Sequence, residues 1–538
     1  MGKRQQNKHR LRPLTAPFTV AAPSGARIRD RLRLTEADAK VLTAVGAHNG
    51  HLQRADLATR IRIGEVTVKE NRRADRKRKL TALSSSRWAG AITRTSENQY
   101  QISLRCLYDE RSCLRRAIAA ISKRLVVECG QREGRVRGYV DRDERWHKQR
   151  RLQALTARLA RVEQRIQAGR PAIVVGGRRL VKVRHRLEDA HLTSVEWRRR
   201  WDAARLFLTA DGESGAPWGN YTITVTPGDG SVSIVLPQPL GHLANAPRGR
   251  YELGCTVTFH HRCAEWLDRI EAHRAVRYDI IYDPVRDRWY LDASWAADKA
   301  QLPSPDELAT LDTRMLGVDL NADHLAACVL DAHGNPIGEP HTIPTHLSGP
   351  ASLRDGRLRA AITQLLDLAE RHGCTGIAIE NLGFVDARAT GRETMGHGWR
   401  GKRFRRTVAG LPTARFRERL RGMAYHRGLL VVAVDPAYTS KWGGRYWQRP
   451  LQQQSTAQAT RHHAAAVAIA RRALGHGIRR RPGVTPRHQR MAARRATGLA
   501  ASSGPLSPAS VPRACGTASP PRTTGTPTPG RQDLLGPR

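Results

Sequence analysis

Acidic residues are scarce in this chain of 538 residues. There are 48 Asp and Glu against 92 Lys and Arg, so the formal net charge at pH 7 is +44. Only 12 of the basic residues are Lys and the other 80 are Arg. This cationic excess predicts a polyanionic partner, above all nucleic acid, because Arg forks match phosphate oxygens and neutralised phosphates release counterions. A genome biased toward Arg codons is the alternative explanation.

Paired cysteines, long apolar runs and aromatic side chains are also lacking. The eight cysteines form no CxxC pair, which predicts reduced thiols rather than a disulfide framework. Without a long uncharged apolar stretch, a membrane-spanning protein is excluded, and the basic amino terminus lacks the apolar core of a signal peptide. We therefore expect a cytoplasmic, nucleoid-associated protein of a prokaryote with no membrane partner. Its oligomeric state is left open.

Changes of pattern along the chain predict a multi-domain α+β protein. A Thr cap at Thr35, in LTEADAKV, and a stripe of apolar residues spaced by three and four from Leu152 to Ile166 predict helices. Alternating segments such as TITV and VSIV, separated by PGDG, predict strands, and AIVVGGRRLVKV predicts a Gly-Gly hairpin. The predicted segments are a basic arm (1–30), the first part of a β-barrel domain (31–108), a helical insertion (109–205), the rest of the barrel (206–300), a linker (301–313), an α/β domain (314–475) and a disordered tail (476–538).

The α/β domain carries the most informative segment, MLGVDLNADHLAACVLDAHGNPIG. Its first apolar strand runs into Asp319, and a second strand follows at once and turns at His333-Gly334-Asn335. A carboxylate on a strand that leads directly into a hairpin is typical of the opening of an RNase H-type fold, in which the first Asp bridges two Mg²⁺ ions. Asp323 and His324 come just after it and are interpreted as supporting or turn residues.

A second acid ends the next predicted buried strand. In CTGIAIENLGF, Glu380 follows Ile377-Ala378-Ile379 and comes to the carboxyl edge of a parallel strand, where open α/β sheets place their sites. An unpaired acid there is costly to bury, and a metal ion relieves that cost. Asp319 and Glu380 are therefore expected to converge although 61 residues separate them. The alternative is an Asp that caps a helix and a Glu on the surface.

The motifs GVDLN, IAIENL and VDPAYTSKWG, followed by the helix RHHAAAVAIARRALG, resemble the RuvC-like nuclease domain of TnpB, the OrfB-type proteins of insertion sequences, which are related to type V CRISPR effectors. The resemblance covers about 314–475. It implies an RNA-guided DNA endonuclease that takes part in transposition and uses Mg²⁺ or Mn²⁺, with Asp319 and Glu380 in the first two acidic positions. The upstream barrel and its helical insertion resemble the family's wedge and recognition domains.

Two departures from the family pattern concern the metal. The segment TSKWGGRYWQRPLQQQSTAQAT contains no cysteine where relatives carry a zinc ribbon, so no structural zinc is expected there. The last helix begins with Arg461-His462-His463 instead of an aspartate, and no acid occurs between Asp435 and Asp533. His463 is therefore predicted to complete the metal shell with Asp319 and Glu380. Asp435 is either a further source of negative charge or a turn residue.

Other segments are candidates for contacts with nucleic acid or metal. The loop GHGWRGKRFRRTVAG mixes aromatic rings with cations, which is the composition of a surface for single strands or heteroduplexes, and ADRKRKL is similarly basic. Cys255, His260, His261 and Cys263 lie within nine positions and are either zinc ligands or, as we expect, ordinary packing residues. The predicted nucleic-acid contacts are Trp399, Arg400, Lys402, Arg403, Phe404, Arg405, Arg406, Arg76, Lys77, Arg78 and Lys79.

Three functions follow from these patterns. The first is guided cleavage of DNA, and the second is guided or plain DNA binding without cleavage, in a regulator whose third acidic position has become a histidine. The third is a conventional strand transferase on the same fold, which lacks the late glutamate that such an enzyme needs.

Overall fold

The computed structural model describes residues 14–66, 72–134, 136–297, 300–310, 313–382, 413–456 and 458–478. The predicted tail lies outside the described residues from 479 onward. The predicted aromatic and basic loop also lies outside them, with Trp399, Arg400, Lys402, Arg403, Phe404, Arg405 and Arg406. In the described part of the chain, no helix is both long enough and apolar enough to cross a membrane.

The described secondary structure comprises strands and helices in both halves of the chain. The strands are β1 (Phe18–Thr19), β2 (Gly25–Leu32), β3 (Arg132–Glu133), β4 (Val136–Arg137), β5 (Thr209–Ala210), β6 (Ile223–Val225), β7 (Ser231–Val235), β8 (Arg250–Thr256), β9 (Arg277–Asp283), β10 (Arg288–Ala296), β11 (Arg314–Leu320), β12 (His324–Leu330), β13 (Pro336–Pro344), β14 (Cys374–Glu380) and β15 (Leu430–Val434). The helices are α1 (Glu36–Ile63), α2 (Arg73–Thr81), α3 (Ser86–Leu125), α4 (Arg142–Gln167), α5 (Arg178–Val183), α6 (Ser194–Ala203), α7 (Cys263–Glu271), α8 (Pro305–Thr310), α9 (Ala351–Arg371), α10 (Thr413–His426), α11 (Thr439–Tyr446), α12 (Gln448–Gln454) and α13 (Arg461–Ala473).

A six-stranded sheet in the order β1-β15-β14-β11-β12-β13 organises the carboxyl-terminal half. Strands β11, β12 and β13 form an antiparallel meander, whereas β11, β14 and β15 are parallel neighbours. The hairpin predicted after Asp319 and the predicted alternation of strands and helices are both confirmed. This arrangement, a meander followed by parallel strands with helical connections, is the one predicted for the RNase H-type domain.

Helices cover both faces of this sheet. Leu358, Ile362 and Leu365 of α9 pack with Leu420 of α10 on one face. The Ala-rich helix α13 packs on the other face, where a Cβ added to Gly317 would lie 2.1 Å from the carbonyl oxygen of Ala466. Small side chains therefore let the backbone of α13 approach β11 closely, which brings the first turn of α13 to the edge of the sheet.

The amino-terminal half contains two small antiparallel sheets that share one core with α1, α3 and α7. The strands predicted between 206 and 300 are present, and the TITV–VSIV hairpin pairs Ile223 with Ile234. In the described residues they belong to two sheets, β2-β10-β9-β5 and β6-β7-β8, rather than to one closed barrel. The Thr cap of α1 is confirmed as a capping box between Thr35 and Asp38.

A long helical hairpin, α3 and α4, extends from this half. The 40 residues of α3 span about 60 Å. Its residues Tyr100, Leu104 and Leu107 are buried together with Val162 of α4, and Leu155, Leu159 and Ile166 pack partly against them. The predicted apolar stripe of α4 is thus confirmed as its packing face.

Two predicted segments differ in the structure. The expected basic arm contains β1 and β2, which add to the exposed edges of β15 and β10, where backbone groups would otherwise lack partners. The predicted Gly-Gly hairpin is wrong, because residues 178–183 form helix α5. There the Trp197 Nε1–H donates to the carbonyl of Leu180 at 2.8 Å, so packing against α6 replaces strand pairing.

Candidate active site at the carboxyl edge of the parallel strands

Asp319 and Glu380 lie side by side at the edge of the six-stranded sheet. Val318 of β11 is aligned with Ile379 of the parallel strand β14, so each acid is the next residue of its strand. Aligned residues of parallel strands point to the same face. That face is the one covered by α13, because Met315 and Ala378, at alternate positions before the acids, pack against this helix. The structure therefore brings the two predicted acids together.

Glu380 is mostly buried, and its carboxylate accepts a hydrogen bond from the Thr439 hydroxyl. Burial raises the pKa of Glu380 to about 7, and the negative charges of Asp319 and Asp435 act in the same direction. The bond from Thr439 and the charge of Arg472 oppose this rise without cancelling it. A carboxyl group near half protonation at neutral pH, beside a second acid, is a suitable ligand for a cation that would relieve both effects.

His462, from the first turn of α13, contacts the other acid. Its Nδ1 lies 2.9 Å from Oδ2 of Asp319, and the Asn321 side-chain amide donates to the same oxygen at 3.1 Å. Because a carboxylate only accepts hydrogen bonds, Nδ1 of His462 is the donor in this contact, and Nε2 lies on the opposite side of the ring. Asp319 is only 6% exposed, so this contact orients both side chains.

His463 does not occupy the predicted position in the metal shell. Its Nδ1 accepts from the backbone N–H of Thr460 at 3.0 Å in a capping box, and its Nε2 lies 3.0 Å from the Thr342 hydroxyl and 3.2 Å from the carbonyl of His341. Burial lowers the pKa of this imidazole. The side chain of His463 is thus turned away from the acids, contrary to the prediction, because neighbours on a helix point about 100° apart and the rotation of α13 directs His462 toward Asp319.

Asp435 follows β15 at the same edge of the sheet, but backbone groups hold its carboxylate. Oδ1 accepts from the N–H of Ala437 at 2.8 Å and Oδ2 from the N–H of Thr15 at 2.9 Å. Arg472 donates to the carbonyls of Asp435 and Ala437. Asp435 is thus a turn residue that also contributes negative charge next to Glu380, so both readings of this residue apply.

Asp323 and His324 form an outer layer of the site. Asp323 is well exposed and lies 2.7 Å from Nδ1 of His324, a contact that lowers the pKa of the Asp323 carboxyl group. The ring of His324 meets the ring of His462 edge-on, with 5.4 Å between centroids. The pair therefore packs against the ring of His462.

The metal donors at this edge of the sheet are few. As the side chains stand, no three His, Cys, Asp or Glu in the described part of the chain converge tightly enough to hold a metal. The donors nearest to that arrangement are the carboxylates of Asp319 and Glu380, because the Nδ1 contact of His462 with Asp319 turns its Nε2 away from them; two carboxylates form a hard oxygen pair that suits Mg²⁺ or Mn²⁺. The grouping of Cys255, His260, His261 and Cys263 forms no metal site either.

Arg76 is not available for nucleic acid. It is 6% exposed, and its guanidinium makes two bonds of 2.8 and 2.7 Å to the buried carboxylate of Asp56 on α1. The prediction for this residue was wrong, because the helical phase of α2 turns every third or fourth residue inward. Lys77 is half-buried, whereas Arg78 and Lys79 are exposed and stay predicted contacts.

Comparison with known proteins gives structural likeness only. No family model matches the chain, and no curated protein matches it. Among solved structures, it is similar to RuvC of Thermus thermophilus in complex with a Holliday junction substrate, at 19% identity and a TM-score of 0.21, and to a second structure of T. thermophilus RuvC at 16% and 0.19. Each alignment covers 30% of this chain and 91% of RuvC. These TM-scores are too low to assign the fold, so the fold is described from the strand order of this chain alone.

Proposed function

We propose that this chain is a metal-dependent endonuclease that hydrolyses DNA phosphodiester bonds. The observation that carries the proposal is the pairing of Asp319 and Glu380 on one face of the sheet, with His462 held against Asp319 at 2.9 Å. The net charge of +44 favours a polyanionic substrate. Direction by a guide RNA and association with an insertion sequence belong to the same proposal and are supported by the motifs GVDLN, IAIENL and VDPAYTSKWG.

The side chains have separate roles in this proposal. Asp319 and Glu380 would hold a divalent ion, which would supply hydroxide at neutral pH and stabilise the leaving oxygen. Thr439 orients the Glu380 carboxylate through its hydroxyl. Asn321 and His462 orient Asp319. Burial of the acids makes each of them more sensitive to a bound cation than it would be in water.

A second candidate is a nucleic-acid-binding regulator that does not cleave. It is favoured by the lack of three converging metal donors in the described residues and by the histidine that takes the third position. Two carboxylates offer two negative charges to a cation, where three would offer three, so the affinity for metal is lower.

Cleavage of labelled target DNA distinguishes the two candidates. The protein is purified with the RNA that accompanies it and is incubated with DNA in Mg²⁺ or in Mn²⁺. We expect cleavage by the wild type and a loss of at least about a hundredfold in Asp319→Asn and Glu380→Gln. Asp367→Asn, which alters an exposed carboxylate on α9, is the matched control and keeps activity.

Each alternative has its own outcome. Tight binding of DNA by the wild type without cleavage in either metal would favour the regulator. Cleavage that survives Asp319→Asn would show that the acid pair is not the active site. Protein that carries no RNA and binds DNA equally well after nuclease treatment would remove the guide from the proposal.

A further inference from the structure

Helix α4 presents an exposed tryptophan between two arginines. Arg142, Trp146 and Arg150 are spaced by four residues and therefore share one face of the helix, about 6 Å apart along its axis. Trp146 is 51% exposed, although tryptophan is usually well buried. The guanidinium carbon of Arg150 lies 5.0 Å from the centre of the indole ring, so the cation covers the aromatic surface.

This stripe faces away from the protein. Leu155, which packs toward α3, is nine residues from Trp146 and thus about 180° around the helix. Among the residues that the structure describes, neither Arg142 nor Arg150 forms an ion pair with a carboxylate, whereas Arg158, further along α4, is paired with Glu110. Internal packing and internal charge pairing therefore account for neither the exposed ring nor the two cations.

The neighbouring end of the hairpin is also exposed and cationic. Val126, at the end of α3, is 79% exposed, and Val140, before α4, is 59% exposed. Between Lys123 and Arg151 the sequence has ten Lys and Arg against five Asp and Glu. An apolar surface surrounded by positive charge is complementary to a partner with flat apolar groups on a polyanionic backbone.

We propose that the stripe of Arg142, Trp146 and Arg150 binds an unpaired nucleic-acid strand. A base stacks on the open part of the Trp146 indole, and the two arginines contact phosphates on either side of it. Arg142 and Arg150 lie about 12 Å apart along the helix axis with the indole between them, so each can reach a phosphate on its own side of the stacked base. The proposal rests on the nucleic-acid partner of the proposed function but not on cleavage.

Binding of labelled oligonucleotides in EDTA tests the proposal, because nuclease activity is then irrelevant. Fluorescence anisotropy is measured with single-stranded DNA, single-stranded RNA and a blunt duplex of the same sequence over a range of salt concentrations. We expect Trp146→Ala to weaken single-strand binding by roughly tenfold with little change for the duplex, and Trp146→Phe to retain most of the affinity. Arg142→Ala and Arg150→Ala should each lower the slope of log affinity against log salt by about one.

A matched control is available on α6. Arg198 also lies over a tryptophan, at 5.9 Å from the ring of Trp197, but that indole is buried. Arg198→Ala removes the same charge and should change single-strand affinity less than twofold. Wild-type single-strand affinity in Trp146→Ala, or an equal loss for single strands and duplex, would overturn the proposal. A difference between the DNA and RNA arms identifies which kind of strand the stripe takes.

Discussion

Oδ2 of Asp319 lies 2.9 Å from Nδ1 of His462, a residue 143 positions later in the chain. The two side chains meet because β11 ends at the same edge of the sheet at which α13 begins. The contact leaves Nε2 of His462 as the outward-facing nitrogen. It also means that the two adjacent histidines have different roles, since His463 caps the helix.

The two histidines should therefore separate activity from stability. His462→Ala is expected to reduce cleavage roughly 10- to 100-fold and to leave the free energy of unfolding nearly unchanged, because it removes the contact that orients the Asp319 carboxylate. His463→Ala removes a buried cap and should lower the free energy of unfolding by about 1–3 kcal/mol. Urea denaturation and cleavage rates of both variants check this. Equal effects of the two substitutions on cleavage would contradict it.

Restoring a carboxylate at position 462 should change the metal preference. His462→Asp would place a third carboxylate beside Asp319 and Glu380, and additional hard, negatively charged oxygen ligands favour Mg²⁺. We expect this variant to raise the ratio of the cleavage rate in Mg²⁺ to that in Mn²⁺ by roughly tenfold. His462→Asn, which has a similar size without the charge, is the control. If both variants shift the ratio equally, the charge of the ligand is not the cause.

The raised pKa of Glu380 predicts a dependence of stability on pH. The Glu380 carboxyl group releases its proton near pH 4.5 in the unfolded chain but only near pH 7 in the folded protein. Its contribution to the free energy of unfolding is therefore complete below pH 4.5. It is lost as the pH rises toward and through 7. The difference amounts to on the order of 3 kcal/mol.

Glu380→Gln isolates this effect. In EDTA, the variant should gain stability relative to the wild type as the pH rises from 5 to 8, and Glu370→Gln, at an exposed site, should not. Addition of Mn²⁺ should reduce the gap at pH 8 more than at pH 6, because the cation competes with the proton. Chemical denaturation at each pH measures these differences. A gap that is constant from pH 5 to 8 would show that Glu380 titrates as an ordinary carboxyl group.

The basic residues of helix α2 should differ in their roles: Arg76 stabilises the fold, whereas Lys79 is available at the surface. Arg76→Ala leaves the Asp56 carboxylate buried without its bidentate partner and is expected to lower the free energy of unfolding by about 3–5 kcal/mol. Lys79→Ala, at an exposed site, should leave stability within about 0.5 kcal/mol and lower only the salt slope of nucleic-acid binding, by about one. Thermal unfolding and anisotropy distinguish the two. A stable Arg76→Ala that binds nucleic acid poorly would reverse this assignment.

The sequence by itself determined the order of strands and helices in the carboxyl-terminal half and the two acids at their ends. These features are local: apolar runs of strand length followed by Asp319 and Glu380 need only the rule that parallel strands end at one edge. The charge of +44 is likewise a property of composition. The amphipathic stripe of α4 can be predicted from the sequence because residues on one face of a helix recur every three to four positions.

Only the tertiary structure decided which histidine contacts Asp319. His462 and His463 are adjacent and chemically identical, and the rotation of α13 on the sheet selects between them. That rotation depends on small side chains at Gly317 and along α13, which no local pattern reveals. In the sequence, Arg76 is one member of a run of basic residues. Only the structure shows that its side chain is buried and paired with Asp56, 20 positions earlier on another helix. The position of a residue along a helix determines the direction of its side chain relative to its neighbours. Which residue that side chain contacts depends on packing between elements that are distant in the chain.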